Sequence, residues 1–236
     1  MSLGNTDVYL VGAKNRARRL ADAVGNNFFS DAEVDDYINT GLGELHDILV
    51  TKFEDYYVSS ISFNLTADTS EYTLSAIGLN NLYKLMGIDL AQGSETVRVP
   101  RYSFQERNTF KSSQALYSDR GHTNHRYSLT GNKLNFIPTP TSTDAVTVWY
   151  VPKFVKLVND SDSVDGSVSS NWEDYAVVSA AIRMRQKEET STTSLEREHD
   201  KISLRIGEAA RNRDAGEPMG ITDEDMGVLA GHWLFR

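Results

Sequence analysis

This chain predicts an α+β fold, with a helical bundle formed by its N- and C-terminal helices, a β-rich insertion between them and an extended C-terminal arm. Three observations carry that expectation. Apolar residues recur at helical spacing towards both ends of the chain and alternate with polar residues through its middle. Beyond Gly216 and Pro218 they follow neither period. The divisions fall at 1–56 for the N-terminal helical part, 57–157 for the insertion, 158–217 for a C-terminal helical hairpin and 218–236 for the arm. Neither helical part carries a stripe wide enough to bury itself alone, so the economical arrangement packs the two together.

Ala13 to Val24 reads as the first helix and is rich in Arg16, Arg18 and Arg19. Ser30 followed by Glu33 is a capping-box pattern, in which hydroxyl and carboxylate each take an orphan N–H at a helix start. The helix it opens carries Val34, Ile38, Leu42, Leu45 and Leu49 on one face. Gly41 and Gly43 weaken that helix by up to about 1 kcal/mol each relative to alanine, so they predict another backbone packed tightly against it. From Val58 onward the period shortens to two, in Ile61, Phe63 and Leu65, in Tyr72 and Leu74, and in Val97 and Val99. Ser103 with Glu106 repeats the capping pattern and opens a short helix reaching Phe110. Tyr127–Leu129 and Leu134–Phe136, joined through Thr130-Gly131-Asn132, form a β-hairpin. Val146, Val148 and Tyr150 alternate in a last strand that Pro152 ends. Residues 158–170 are a loop by composition.

Asn171 is the N-cap expected for the third helix, in which Trp172, Tyr175, Val178 and Ile182 recur at helical spacing. A polar break follows, and Thr193 with Glu196 forms the capping pattern of a fourth helix. There Leu195, Ile202 and Ala209 fall seven apart, with His199 and Ile206 on the same stripe. Gly216 and Pro218 stop it and release the arm.

Composition narrows the function. With 236 residues, 39% hydrophobic and 24% charged, the chain can bury a sizeable core. It has no cysteine, which excludes disulfides, thiol catalysis and cysteine-bound zinc. No apolar run approaches the roughly 20 residues of a membrane helix, and the N-terminus shows no signal-peptide pattern. A net charge of −9 and a pI near 5.1 repel nucleic acid on average.

Candidate chemistry is sparse. Glu54 with Asp55, Glu173 with Asp174 and Glu188 with Glu189 are adjacent acidic pairs, and glycoside hydrolysis needs two carboxylates about 5 to 9.5 Å apart with one pKa raised. These pairs sit in polar surroundings and read as solvated helix faces. His122 and His125 have H-x-x-H spacing but no evident third ligand, where a metal needs three or four donors. No P-loop, dinucleotide fingerprint or nucleophile elbow occurs, so no cofactor is expected. Arg16, Arg18 and Arg19 suit phosphate, an acidic protein face or plain solvent equally well. Asp22, Asp31, Glu33, Asp35 and Asp36 are the acidic residues that could answer them across a subunit interface.

Arg16 to Ala23, Phe29-Ser-Asp-Ala-Glu-Val, Tyr37-Ile-Asn and Leu45 to Phe53 look like the opening helices of a known family. Tyr83-Lys-Leu-Met-Gly-Ile, Pro138-Thr-Pro140 and Trp149-Tyr-Val-Pro152 resemble its strands. Trp172-Glu-Asp-Tyr175, Gln186-Lys-Glu-Glu189 and Arg211 to Pro218 are similar to its C-terminal helices. The chain resembles the head-to-tail adaptor, or connector, proteins of short-tailed bacteriophages. That resemblance implies a non-enzymatic virion protein of the head–tail junction, assembled in the host cytoplasm. It implies a dodecameric ring that binds the portal protein, carries the tail nozzle or fibre proteins, lets genomic DNA pass without sequence-specific contact, and touches no membrane. An acidic channel wall fits, because cationic side chains would hold phosphates and slow passage. Trp233, Leu234, Phe235 and Arg236, together with Arg16, Arg18 and Arg19, are the residues expected to meet portal or a neighbouring subunit. Exposed aromatics are a liability on a monomer but anchors at an interface. A peptidoglycan hydrolase on the same scaffold and an unrelated helical binding module are the alternatives.

Overall fold

The apolar stripe of the second helix organises one half of the molecule, and strand alternation organises the other. The computed structural model describes residues 9–25, 27–53, 55–110, 125–163 and 172–211. The arm at 218–236, with Gly216, Asn171, Glu54 and His122, lies outside them. The order is α1 (Leu10–Leu20), α2 (Asp31–Lys52), β1 (Ser59–Asn64), β2 (Glu71–Thr73), β3 (Leu82–Gln92), β4 (Glu95–Arg98), a 3-10 turn at Phe104–Asn108, β5 (Arg126–Thr130), β6 (Lys133–Ile137), β7 (Ala145–Pro152), α3 (Asp174–Lys187) and α4 (Thr193–Arg211). The chain is therefore α+β, with four α-helices and two antiparallel sheets among the described residues.

The helices share one apolar core. The expected face of α2, from Val34 to Leu49, is buried in it. Helix α3 packs against α1, α2 and α4 and is buried on nearly every side through Tyr175 to Ala181 and Met184. Its alanines allow this close approach. A Cβ on Gly41 would stand 2.8 Å from the Ala176 Cα, so this glycine answers the close-approach expectation. Gly43 does not, because its nearest neighbour is the Phe154 ring at 3.8 Å, an ordinary contact. On α4, Leu195, Ile202 and Ile206 are buried and His199 is half-buried. Ala209 is exposed, because the stripe leaves the core near the end of the helix.

Helix ends depart from the sequence reading. Helix α1 starts at Leu10 and stops at Leu20, short of Val24. Asp22 there adopts φ +60°, Ala23 N–H donates to Arg18 O at 2.8 Å and Asp22 N–H to Arg19 O at 3.2 Å, which together make a Schellman stop. Helix α3 ends in the same way through Glu189 at φ +56°, with Thr190 N–H on Arg185 O at 3.0 Å. Neither stop uses glycine, which is why no sequence signal marks it. At α2, Ser30 Oγ accepts from Glu33 N–H at 3.3 Å, while the Glu33 carboxylate turns to Lys187 and Tyr37. Thr193 lies inside α4 rather than capping it. The preceding Thr192 instead donates its hydroxyl to Glu196 at 2.7 Å.

The strands form two sheets, ordered β1-β7-β3-β4 and β2-β6-β5. Ile61, Phe63 and Leu65 pack on a second apolar core with Tyr72, Ile88, Leu90, Leu134, Phe136, Val146 and Val148. The hairpin β5–β6 pairs Thr130 with Lys133 across Gly131, whose φ of +59° meets the demand of the two-residue turn. The longest strand, β3, lies between β7 and β4 and contains the Tyr83–Ile88 segment. Register shifts between Leu82 and Lys84 and between Leu85 and Gly87 break its alternation. The Ser103 turn is short, and Glu106 closes it by accepting from Ser103 N–H at 2.9 Å.

Candidate docking surfaces

The cations of α1 all project from one helix but do different work. Lys14 is nearly buried and holds Asp160 at 2.5 Å and Asp35 at 3.3 Å, tying α1 to α2 and to the loop after β7. Burial opposes its charge, yet the two carboxylates outweigh burial and lift its pKa above the ordinary lysine value. Arg16 pairs with Asp174 and lies 3.9 Å from Glu173, joining α1 to the start of α3. Arg18 donates to Asp31 at 2.8 Å and to Phe29 O at 3.0 Å. The pairing of Arg18 with Asp31 thus runs within the chain. Arg19 is exposed and has no ion pair among the described residues.

Sequence reasoning did not anticipate three further charged contacts. Lys187 of α3 grips Glu33 at 2.7 Å and sits 4.6 Å from the centre of the Phe28 ring. Lys187 first, and the Tyr37 hydroxyl second, hold Glu33 below the usual carboxylate range. Arg183 binds Glu44 at 2.7 Å. Arg185 reaches the last carbonyl of α1, Leu20 O, at 3.1 Å, so a side chain of α3 satisfies the orphan acceptor of another helix.

The two acidic pairs that lie wholly within the described residues show no catalytic geometry, and Glu54 of the third lies outside them. Glu173 and Asp174 both face Arg16. Glu188 caps α3 and Glu189 forms its turn. Among the described residues the carboxyls that their surroundings shift, Glu33, Glu106 and Asp162, are held down, the opposite of what a general acid needs. His125 is buried with Nδ1 3.1 Å from Pro138 O, which makes that nitrogen the donor. Among the described residues no group of three His, Asp or Glu could hold a metal, and no helix is long and apolar enough to cross a membrane.

A groove of about 510 Å3 lies where α2 meets the segment following β7. Leu42 and Leu45 contribute from α2, and Phe154, Val155 and Leu157 from the opposite wall. Its lining is partly aromatic. His46 stacks on Tyr57 with centroids 5.0 Å apart and meets the Tyr83 ring edge-on at 5.2 Å. Lys153, Lys156 and Asp162 are the charged side chains that line it.

A family model described as SU10 adaptor protein matches residues 11–219, which takes in α1 from its second residue, α2 to α4 and both sheets of the described residues. The chain belongs to the SU10 adaptor protein family. No curated protein gives a match. Membership makes this a structural phage protein of the adaptor type and a virion component, in a family not known for enzymes. On the adaptor's surface, Val24 and Phe28 are exposed in the loop after α1, Val155 and Val158 follow β7, and Leu204 is exposed on α4. Trp233, Leu234, Phe235 and Arg236 lie outside the described residues.

Proposed function

We propose that this adaptor forms a dodecameric ring at the head–tail junction of a short-tailed phage, docking on the portal and offering the tail nozzle or fibres a platform. Membership of an adaptor family across residues 11–219 is the observation that supports the reading. In a closed ring each subunit presents two different faces, and opposite charges on them set register and speed encounter. Arg19, which has no ion pair within the described chain, is the α1 cation best placed for such a contact. Trp233–Arg236 serve as the arm that anchors on portal or on a neighbouring subunit. The net charge of −9 keeps a channel wall from holding DNA while the assembled junction helps retain the genome. Assembly takes place in the host cytoplasm.

Electron microscopy of the full chain mixed with purified portal rings, with mass measurement of the complex, tests the reading. Portal particles bearing an added ring of twelve subunits are expected. A chain that stays unbound overturns portal docking, and another stoichiometry overturns the dodecamer. A zymogram on peptidoglycan tests the hydrolase alternative.

A further inference from the structure

The groove between α2 and the segment after β7 has no role in ring geometry as argued above, yet it has the form of a binding site. Its volume of about 510 Å3 lies within the roughly 300–1,000 Å3 of sites that enclose drug-sized ligands. Its lining includes the buried Leu42, Leu45 and His46 and the half-buried Leu157 and Tyr57, with Tyr57 stacked on His46. Val155, 71% exposed, adds open apolar surface to the lining. Such a surface favours a flat aromatic group flanked by aliphatic ones.

We propose that the occupant is the chain's own segment Trp233-Leu234-Phe235, seated in cis before the adaptor meets its partners. Composition argues first, because this is the densest large apolar triplet beyond Arg211. Reach argues second. The last turns of α4 lie beside the end of α2, where a Cβ on Gly207 would stand 3.6 Å from Lys52 Cε. From Lys52 back to His46 is about 9 Å along the helix axis. The 21 residues from 212 to 232 can bridge at most about 70 Å, which exceeds that distance. Charge argues third. The run Asp223-Glu224-Asp225 precedes the aromatics, and the groove is lined by Lys153, Lys156 and Asp162. Lys156 stands 3.8 Å from Asp36, which leaves Lys153, with no ion pair among the described residues, as the cation for that run. Covalent connection decides between the chain's own segment and another copy's, because a tethered segment meets its own groove at an effective concentration of order millimolar, above that of free subunits in dilute solution. The seat covers an aromatic cluster that would otherwise promote association, and partner binding then competes for the arm. The proposed function enters only through the arm's later use, not through its seat.

A photo-crosslinking residue in place of the exposed Val155 tests this in the full chain, mixed from 15N-labelled and unlabelled batches. After irradiation and digestion, position 155 is expected to be joined to the segment containing Trp233, in isotope-matched pairs. The yield should fall at least tenfold in Trp233→Ala with Phe235→Ala. Mixed-isotope pairs would put a second copy's segment in the groove and overturn the cis seat. Linkage elsewhere, or a yield indifferent to the tail substitutions, would overturn the occupant. Portal is absent from every arm of this experiment, so its failure leaves the adaptor reading intact. Failure to bind portal, in turn, leaves the crosslink readable.

Discussion

Gly41 of α2 and Ala176 of α3 touch backbone to backbone, and a Cβ on Gly41 would lie 2.8 Å from the Ala176 Cα and 3.1 Å from its carbonyl oxygen. Backbone cannot swing aside as a side-chain end can. Gly41→Ala gains about 1 kcal/mol of helix propensity but incurs an overpacking cost of about 1–3 kcal/mol, so a net loss is expected. Gly43→Ala, facing only the Phe154 ring at 3.8 Å, keeps most of the propensity gain. Urea midpoints should therefore move in opposite directions for two glycines two residues apart. Equal shifts would mean that α2 and α3 are not in close contact.

Glu189 and Asp22 stop α3 and α1 in the left-handed region, where a side chain costs roughly 1–2 kcal/mol. Glu189→Gly is expected to raise stability by about 1 kcal/mol, or about 2–4 °C in Tm for a chain of this size. Asp22→Gly should behave alike. Calorimetry reads both, and a lowered Tm would contradict the observed stops.

Burial depresses the pKa of His125, against weaker opposition from the Pro138 carbonyl and Asp144. The unfolded chain takes up a proton near the ordinary value of about 6.5, while the folded chain resists until lower pH. The stability linked to His125 is full above that value and is lost as pH falls towards the folded one. His125→Gln should flatten the fall in urea midpoint between pH 7.5 and 5.5. An unchanged slope would assign that dependence elsewhere, with His199, also depressed by burial, as the next group to test.

Arg18 and Arg19 separate folding from docking. Arg18→Glu sets a carboxylate beside Asp31 and removes the donor to Phe29 O, so it should lower stability by about 1 kcal/mol, limited by the exposure of Asp31. Arg19→Glu breaks no pair among the described residues and should stay within about 0.5 kcal/mol of the parent. Any loss of ring formation or portal binding in Arg19→Glu then reports on an intermolecular contact. Normal assembly would remove Arg19 from the docking face.

The sequence alone determined the α+β class, the buried face of α2 from Val34 to Leu49, the β5–β6 hairpin and the alternation of β1 and β7, because one-face burial imposes a period on composition. Ser30 and Gly131 were legible for the same reason, since each meets a local backbone demand with its own chemistry. Tertiary structure alone decided where α1 and α3 end, since Asp22 and Glu189 hold conformations that glycine usually signals. It also decided which glycine meets a backbone. The extent of β3 was obscured because its bulges shift side chains between faces. The partners of Arg16, Arg18 and Lys187, and the groove on α2, depend on helices distant in sequence. Charge pairing and concavity arise between elements, and no local pattern along the chain encodes them.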